Sequence, residues 1–136
     1  MTAPLAPSSP PTASDGRAVA RLHEVEFGTA RPIDGYGSGF FRVGGERIEG
    51  AVMVTATGAK SWGGYDDLAP LLAMVDSIDV LFIGTGRTIA HLPASFRTRI
   101  EAAGIGVEAM DSPAAARTYN VLLSEGRRIA AALLPV

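Results

Sequence analysis

The second half of the chain alternates between two periodicities, and that alternation limits the fold more than any other feature. Val80-Leu81-Phe82-Ile83 is an apolar run of strand length, ended by Gly84-Thr85-Gly86. Pro93 opens a segment with Phe96, Ile100 and Ala103 on one helical stripe, and Gly104 suits a left-handed cap. Ile105 to Met110 reads as a strand. Ser112 fits a helix N-cap with Pro113 at the first helical position, and that helix runs to about Glu125 with Gly126 as its stop. Arg128 to Leu134 reads as a last strand. A strand–helix–strand–helix–strand order requires crossover connections, and these favour an α/β architecture with at least one right-handed parallel unit.

The first half reads differently. Between Arg31 and Glu49, Gly44-Gly45 separates two short β-prone runs, the composition of a tight hairpin turn. Ala51-Val52-Met53-Val54-Thr55 reads as a buried strand. Asp66 or Asp67 suits an N-cap for a helix carrying Leu68, Leu71, Leu72 and Val75 on one face, with Pro70 in its first turn. A mixed sheet with helices on its faces and a small β layer accommodates both halves.

Composition narrows the function classes. The 136 residues suit one domain, and 47% hydrophobic against 19% charged excludes a wholly disordered chain. A net charge of −2 provides no bulk basic footprint for nucleic acid. With no cysteine, disulfides, zinc–thiolate sites, iron–sulfur clusters and thiol nucleophiles are excluded. Four of the nine prolines fall before Asp15, so residues 1–19 are expected to form a disordered Pro-rich tail and residues 20–136 a single domain. That tail resembles neither a secretory signal nor an Arg-rich presequence, and no apolar run nears the ~18–20 residues of a membrane span. The expected location is cytoplasmic. The basic residues are arginine except Lys60, a bias of GC-rich bacterial genomes.

Ligands of open α/β sheets bind outside the carboxyl ends of parallel strands. Parallel strands at Val80–Ile83 and Ile105–Met110 would bring Gly84-Thr85-Gly86-Arg87 and Asp111-Ser112 to one edge, with the loop bearing Trp62 reaching the same edge. Backbone N–H groups, a helix N-terminus, a guanidinium and a carboxylate would favour an anion or a polar small molecule there. Each element also has a plain structural reading. Two glycines after a strand make a tight turn, since the full dinucleotide fingerprint and the Walker lysine are both missing. Asp111-Ser112 reads as a helix cap, Arg87 as a solvated arginine and Trp62 as packing. Asn120 shares a helix face with Ala116 and Leu123, which suits a side chain tying the helix to neighbouring backbone. Glu125 is placed to pair with Arg127 or Arg128. His23 and His91 have no metal-ligand spacing, Gly37-Ser38-Gly39 is not a nucleophile elbow, and Asp66-Asp67 reads as a capping pair. No catalytic residue, metal ligand or cofactor is assigned.

Three groups of residues carry a resemblance. They are Asp34-Gly35-Tyr36-Gly37 with Phe40-Phe41-Arg42; Leu81-Phe82-Ile83-Gly84-Thr85-Gly86; and Met110-Asp111-Ser112 leading to Ala115-Ala116-Arg117-Thr118-Tyr119-Asn120-Val121-Leu122-Leu123 and Glu125-Gly126-Arg127-Arg128. In that order they resemble the small Mth-type domain family of unknown function, to which mitochondrial complex I assembly factor three and the adipogenesis-associated Mth domain-containing protein belong. The resemblance runs from about residue 20 to the end. It implies a three-layer α/β sandwich: a central mixed sheet, helices on its faces and an N-terminal β-hairpin layer. It does not imply a known catalytic activity, so no catalytic residues carry over. It does imply that Gly84, Thr85, Gly86, Asp111, Tyr119 and Asn120 form one shared structural or binding feature. Two expectations follow. The first is a non-catalytic interaction or assembly factor whose partner is a protein, for example a respiratory-complex subunit. The second is a small anionic-ligand site, enzymatic or not, at the strand-end crevice of Trp62, Gly84, Thr85, Gly86, Arg87, Asp111, Ser112, Tyr119 and Asn120.

Overall fold

The computed structural model describes residues 31–136. The expected tail at 1–19, the start of the expected domain and His23 lie outside the described residues.

Three strands come first: β1 (Ile33–Gly37), β2 (Phe40–Val43) and β3 (Glu46–Glu49), antiparallel in the order β1-β2-β3. The β2–β3 turn is Gly44-Gly45, with Val43 paired to Glu46 and both glycines at positive φ (56° and 84°). That is the conformation a two-residue hairpin demands, and only glycine adopts it twice in succession without strain.

A second sheet follows. Its strands are β4 (Val52–Thr55), β5 (Gly58–Ser61), β6 (Val80–Gly84), β7 (Gly106–Met110) and β8 (Ile129–Leu133), in the order β5-β4-β8-β6-β7. β6 runs parallel to both β7 and β8, while β4 is antiparallel to β5 and β8, so the sheet is mixed. The helices are α1 (Ala69–Leu72), α2 (Ala94–Ala102) and α3 (Ser112–Ser124). The result is the expected three-layer α/β sandwich. One outer layer holds α3 and the β1–β3 sheet, and the other holds α1 and α2.

Each face of the central sheet has its own core, and the apolar runs feed both. Along β6, Leu81 and Ile83 face Trp62, Leu71, Phe96 and Ile100, whereas Phe82 faces Phe41, Val43, Ala115 and Tyr119. Met53 between Val52 and Val54, and Ala130 and Ala132 about Ala131, divide in the same way. A continuous apolar strand is therefore a period-two strand buried on both sides. Ala130-Ala131-Ala132 has poor strand propensity, yet all three are fully buried in a central strand, so tertiary burial overrides the local preference.

Several local expectations are corrected. The helix after Asp66-Asp67 is a single turn, with Leu68 at its N-cap and no side-chain cap. The Asp67 carboxylate instead accepts the Gly63 N–H at 2.9 Å, and Val75 is exposed. β5 was not anticipated because Gly58-Ala59-Lys60-Ser61 has no apolar alternation; β4 supplies the ladder it needs. The N-cap of α3 is Asp111, whose carboxylate accepts the Ala114 N–H at 2.8 Å, and Ser112 is already helical. Arg128 pairs with Asp79 at 3.1 Å, not with Glu125. The Arg128 hydrogen bond is the main cause holding the Asp79 carboxyl below its ordinary range.

Candidate functional site

β6 and β7 are parallel neighbours, but the chain leaves them in opposite directions. After β6 it turns to α2 on one face, and after β7 it turns to α3 on the other. The gap between their carboxyl ends is thus the switch point where α/β sheets place ligands. Here the two loops close on each other. The Thr85 N–H donates to the Met110 carbonyl at 2.8 Å. The Thr85 hydroxyl lies 2.8 Å from the Thr88 carbonyl and 3.1 Å from that of Met110, and it accepts the Ala90 N–H at 3.1 Å. The Gly86 N–H donates to Ser112 Oγ at 2.9 Å, and the Ser112 N–H returns to the Gly86 carbonyl at 2.8 Å.

Ser112 extends this network to the third parallel strand. Its hydroxyl donates to the Leu134 carbonyl at 2.6 Å, and the Leu134 N–H donates to the Gly84 carbonyl at 2.9 Å. The ends of β6 and β8 and the start of α3 are thereby joined around one buried hydroxyl. Gly84 makes this possible: a Cβ there would lie 2.5 Å from Ser112 Oγ and 2.8 Å from Ser112 Cα. Gly86 contributes a positive φ of 106°. The N–H groups that would cradle an anion are engaged by protein oxygens. Ser112 Oγ is fully buried, donates to a carbonyl and among the described residues has no hydrogen bond to a basic side chain, so it is placed as a structural hydroxyl and not as a nucleophile.

Gly84, Thr85, Gly86, Asp111 and Ser112 come together; the other singled-out residues lie elsewhere. Arg87 is exposed beyond the turn. Trp62 follows β5 at the same sheet edge, because Ser61 and Leu133 both pair with Val52 and Leu133 pairs with Gly84. The intervening strands put it about 14 Å away across the sheet, at ~4.8 Å per strand. Its ring packs edge-on to Tyr65 at 5.9 Å and against Phe96 at 6.3 Å, and its indole N–H donates to the Asp67 carbonyl at 3.1 Å. Asn120 clamps the β1 layer to α3: Oδ1 accepts the Ile33 N–H and Nδ2 donates to the Ile33 carbonyl, both at 2.8 Å. Tyr119 is fully buried in the α3-side core, and its hydroxyl has no hydrogen-bond partner among the described residues. Burial drives its pKa far above the usual 10, and burial also raises that of Tyr65.

The sequence reading missed Leu134 as the acceptor at this junction. No residue pattern marks it, because the group involved is a backbone carbonyl. Among the described residues, no three His, Asp or Glu side chains converge as a metal site would require, and no helix is long and apolar enough to cross a membrane.

The comparisons with known proteins agree with this architecture. A protein of Rhodobacter capsulatus described as uncharacterized is 50% identical over 113 residues, covering 83% of this chain and 91% of its own length. The mouse NADH dehydrogenase [ubiquinone] 1 alpha subcomplex assembly factor 3 is 32% identical over 121 residues, 84% of this chain; the match spans 65% of that longer protein. A Bordetella pertussis protein solved in solution and described as a Mth938-like domain superposes with a TM-score of 0.62 at 31% identity, covering 77% of this chain and 85% of that one. The model of the family described as protein of unknown function (DUF498/DUF598) matches residues 33–134, from the start of β1 to the junction at Leu134, and the chain therefore belongs to this Mth938-like family.

Proposed function

We propose that this domain works by contact, as a non-catalytic assembly factor for a respiratory NADH dehydrogenase. The observation that carries this reading is the 32% identity to assembly factor 3 across 84% of the chain, a stretch that includes both layers packed on the central sheet. The closed switch point supports it, since loops that would hold a small substrate hold each other. In this reading the hydrogen bonds among Gly84, Thr85, Gly86, Asp111 and Ser112 hold the sheet edge in shape for a partner, Asn120 and Tyr119 fix the outer layer, and Trp62 anchors the loop after β5. Residues 20–136 act as one domain in the cytoplasm, meeting the membrane complex through its protein subunits.

The test is affinity capture of the tagged full chain from its native cells, with a native gel of the NADH dehydrogenase in a deletion strain. Recovery of subunits of that complex, with accumulation of subcomplexes on deletion, is expected. A fully assembled complex in the deletion strain would refute the reading. The alternative, a small anionic ligand at the switch point, predicts a rise in melting temperature with phosphates, nucleotides or carboxylates. No shift is expected, because binding there would first have to break the Gly86–Ser112 and Thr85–Met110 hydrogen bonds.

A further inference from the structure

The ladder between β4 and β8 ends early. It pairs Val52 with Leu133, Met53 with Ala132 and Val54 with Ala131, and it stops there, although β8 begins at Ile129 and pairs with β6 from its first residue. Peptide groups point to alternate sides along a strand. The Leu134 N–H donates to the Gly84 carbonyl, so Leu134, Ala132 and Ala130 turn their peptide groups to β6, and Ile129, Ala131 and Leu133 turn theirs to β4. The residue in register with Ile129 is Ala56, which already lies in the two-residue turn from β4 to β5. Among the described residues, nothing accepts the Ile129 N–H on that side and nothing donates to its carbonyl. Ile129 is 4% exposed, and a peptide group so placed calls for a partner.

A cleft of about 640 Å³ opens where the two strands part, at the end of the sheet opposite to the switch point. Its floor is apolar and drawn from both cores: Leu123 from the α3 side, Met74 and Ile78 from the other. Arg127 and Arg128 both line it, and their positions differ. Arg128 is occupied, its guanidinium donating to both Asp79 oxygens and to the Asp76 carbonyl at 3.1 to 3.4 Å. Arg127 is exposed, and among the described residues no carboxylate lies within 4 Å of it. The nearby Asp79 carboxylate is the one Arg128 already holds. The cleft thus combines an unpaired peptide group, an apolar floor and a cation.

We propose that this cleft binds an apolar amino acid that is acylated at its nitrogen and carries a free carboxylate. Its amide N–H donates to the Ile129 carbonyl, and its carboxylate accepts from the Ile129 N–H and from the Arg127 guanidinium. Its side chain rests on Met74 and Leu123, where a flexible thioether adapts to the shape it meets. Direction supports the match. A residue paired antiparallel to Ile129, as β4 is to β8, sends its carboxyl end toward the residues that precede Ile129, and Arg127 is among them. The acyl group then leaves toward solvent, because Ala131 is already paired with Val54. A free N-acyl amino acid and the last residue of a polypeptide present the same groups. The proposal does not rest on the assembly-factor reading, and the cleft lies at the far end of the strands from the switch point.

The test titrates the isotope-labelled full chain with N-acetyl-leucine, followed by NMR. A dissociation constant on the order of 1 mM is expected for so small a ligand. The Ile129 amide should shift and exchange more slowly with solvent, with smaller shifts at Thr57 and Ser77. N-acetyl-leucine methyl ester lacks the charge and 4-methylpentanoate lacks the amide, and each should bind about tenfold more weakly. Arg127→Ala, at an exposed side chain, should weaken N-acetyl-leucine about tenfold, leave the ester unchanged and retain the melting temperature. Phosphate, nucleotides and acetate should leave Ile129 unmoved. Acetyl-alanyl-alanyl-leucine separates the two sources: tighter binding than N-acetyl-leucine assigns the end of a polypeptide, and weaker binding assigns the free small molecule. No shift at Ile129, or equal shifts from acid and ester, overturns the proposal. So does an Ile129 amide already protected from exchange before any ligand is added, since its position in the ladder would then be taken.

Discussion

Two adjacent residues of α3, Tyr119 and Asn120, take opposite positions on hydrogen bonding. Asn120 satisfies both halves of its amide on Ile33, and each bond crosses from α3 to the outer β layer. Asn120→Ala leaves a backbone N–H and carbonyl without these partners, and should lower stability by about 2–3 kcal/mol in a urea melt. Tyr119 buries a hydroxyl with no partner among the described residues. Removing an unsatisfied buried group is close to neutral or favourable, so Tyr119→Phe should unfold within ~1 kcal/mol of wild type at pH 7. The pH dependence separates the two proteins. The folded pKa of Tyr119 lies above its unfolded value near 10, so the folded state keeps a proton that the unfolded state loses. Stability is therefore fully present below pH 10 and falls as pH rises beyond it. Denaturation melts in that range should show a shallower fall for Tyr119→Phe, with a remainder from Tyr65.

Among the elements, the junction of β6, α3 and β8 decides the geometry of the Gly84-Thr85-Gly86 turn. Gly84→Ala places a methyl group against Ser112 Oγ and backbone, and Ser112 cannot retreat without giving up Leu134 and Gly86. The expected cost is about 1–3 kcal/mol, with faster amide exchange at Gly86 and Leu134 than in wild type. The turn itself was legible in the sequence, as were Gly104 and Gly126 at the ends of α2 and α3, because glycine at positive φ is a local requirement. The meaning of the turn was not. Whether its N–H groups face a ligand or a serine 26 residues away depends on how α3 docks. The α1 segment shows the same limit. Its apolar spacing was real, but the Trp62 loop claims the Asp67 carboxylate and the helix stops after one turn.

At the scale of the whole molecule, the two cores share one sheet. β4, β6 and β8 each contribute alternate residues to both, so neither core can open without disrupting strands that support the other. Heat or denaturant should therefore unfold the chain in one transition, with tryptophan fluorescence and far-ultraviolet circular dichroism coincident. Trp62 reports the α2-side core, which makes the comparison informative. Separate midpoints would mean that the outer β layer unfolds by itself. The proposed domain boundary has its own check: a chain of residues 20–136 should melt at the same temperature as the full chain.

The alternation of strand and helix from Val80 to Ser124, the hairpin at Gly44-Gly45 and the caps at Gly104 and Gly126 were all determined by local chemistry. Periodicity, turn conformation and helix termination depend on a few neighbouring residues, and those are written in order along the chain. Asn120 as a tie between helix and backbone was legible for a related reason, since a polar side chain on an apolar face must find a partner. The tertiary structure alone decided that the switch point is closed, that Trp62 lies strands away from it, and that among the described residues β7 is the outer strand of the central sheet. These depend on strand order and on backbone carbonyls and N–H groups brought together from distant parts of the chain, and such groups are the same in every residue and leave no mark in a sequence.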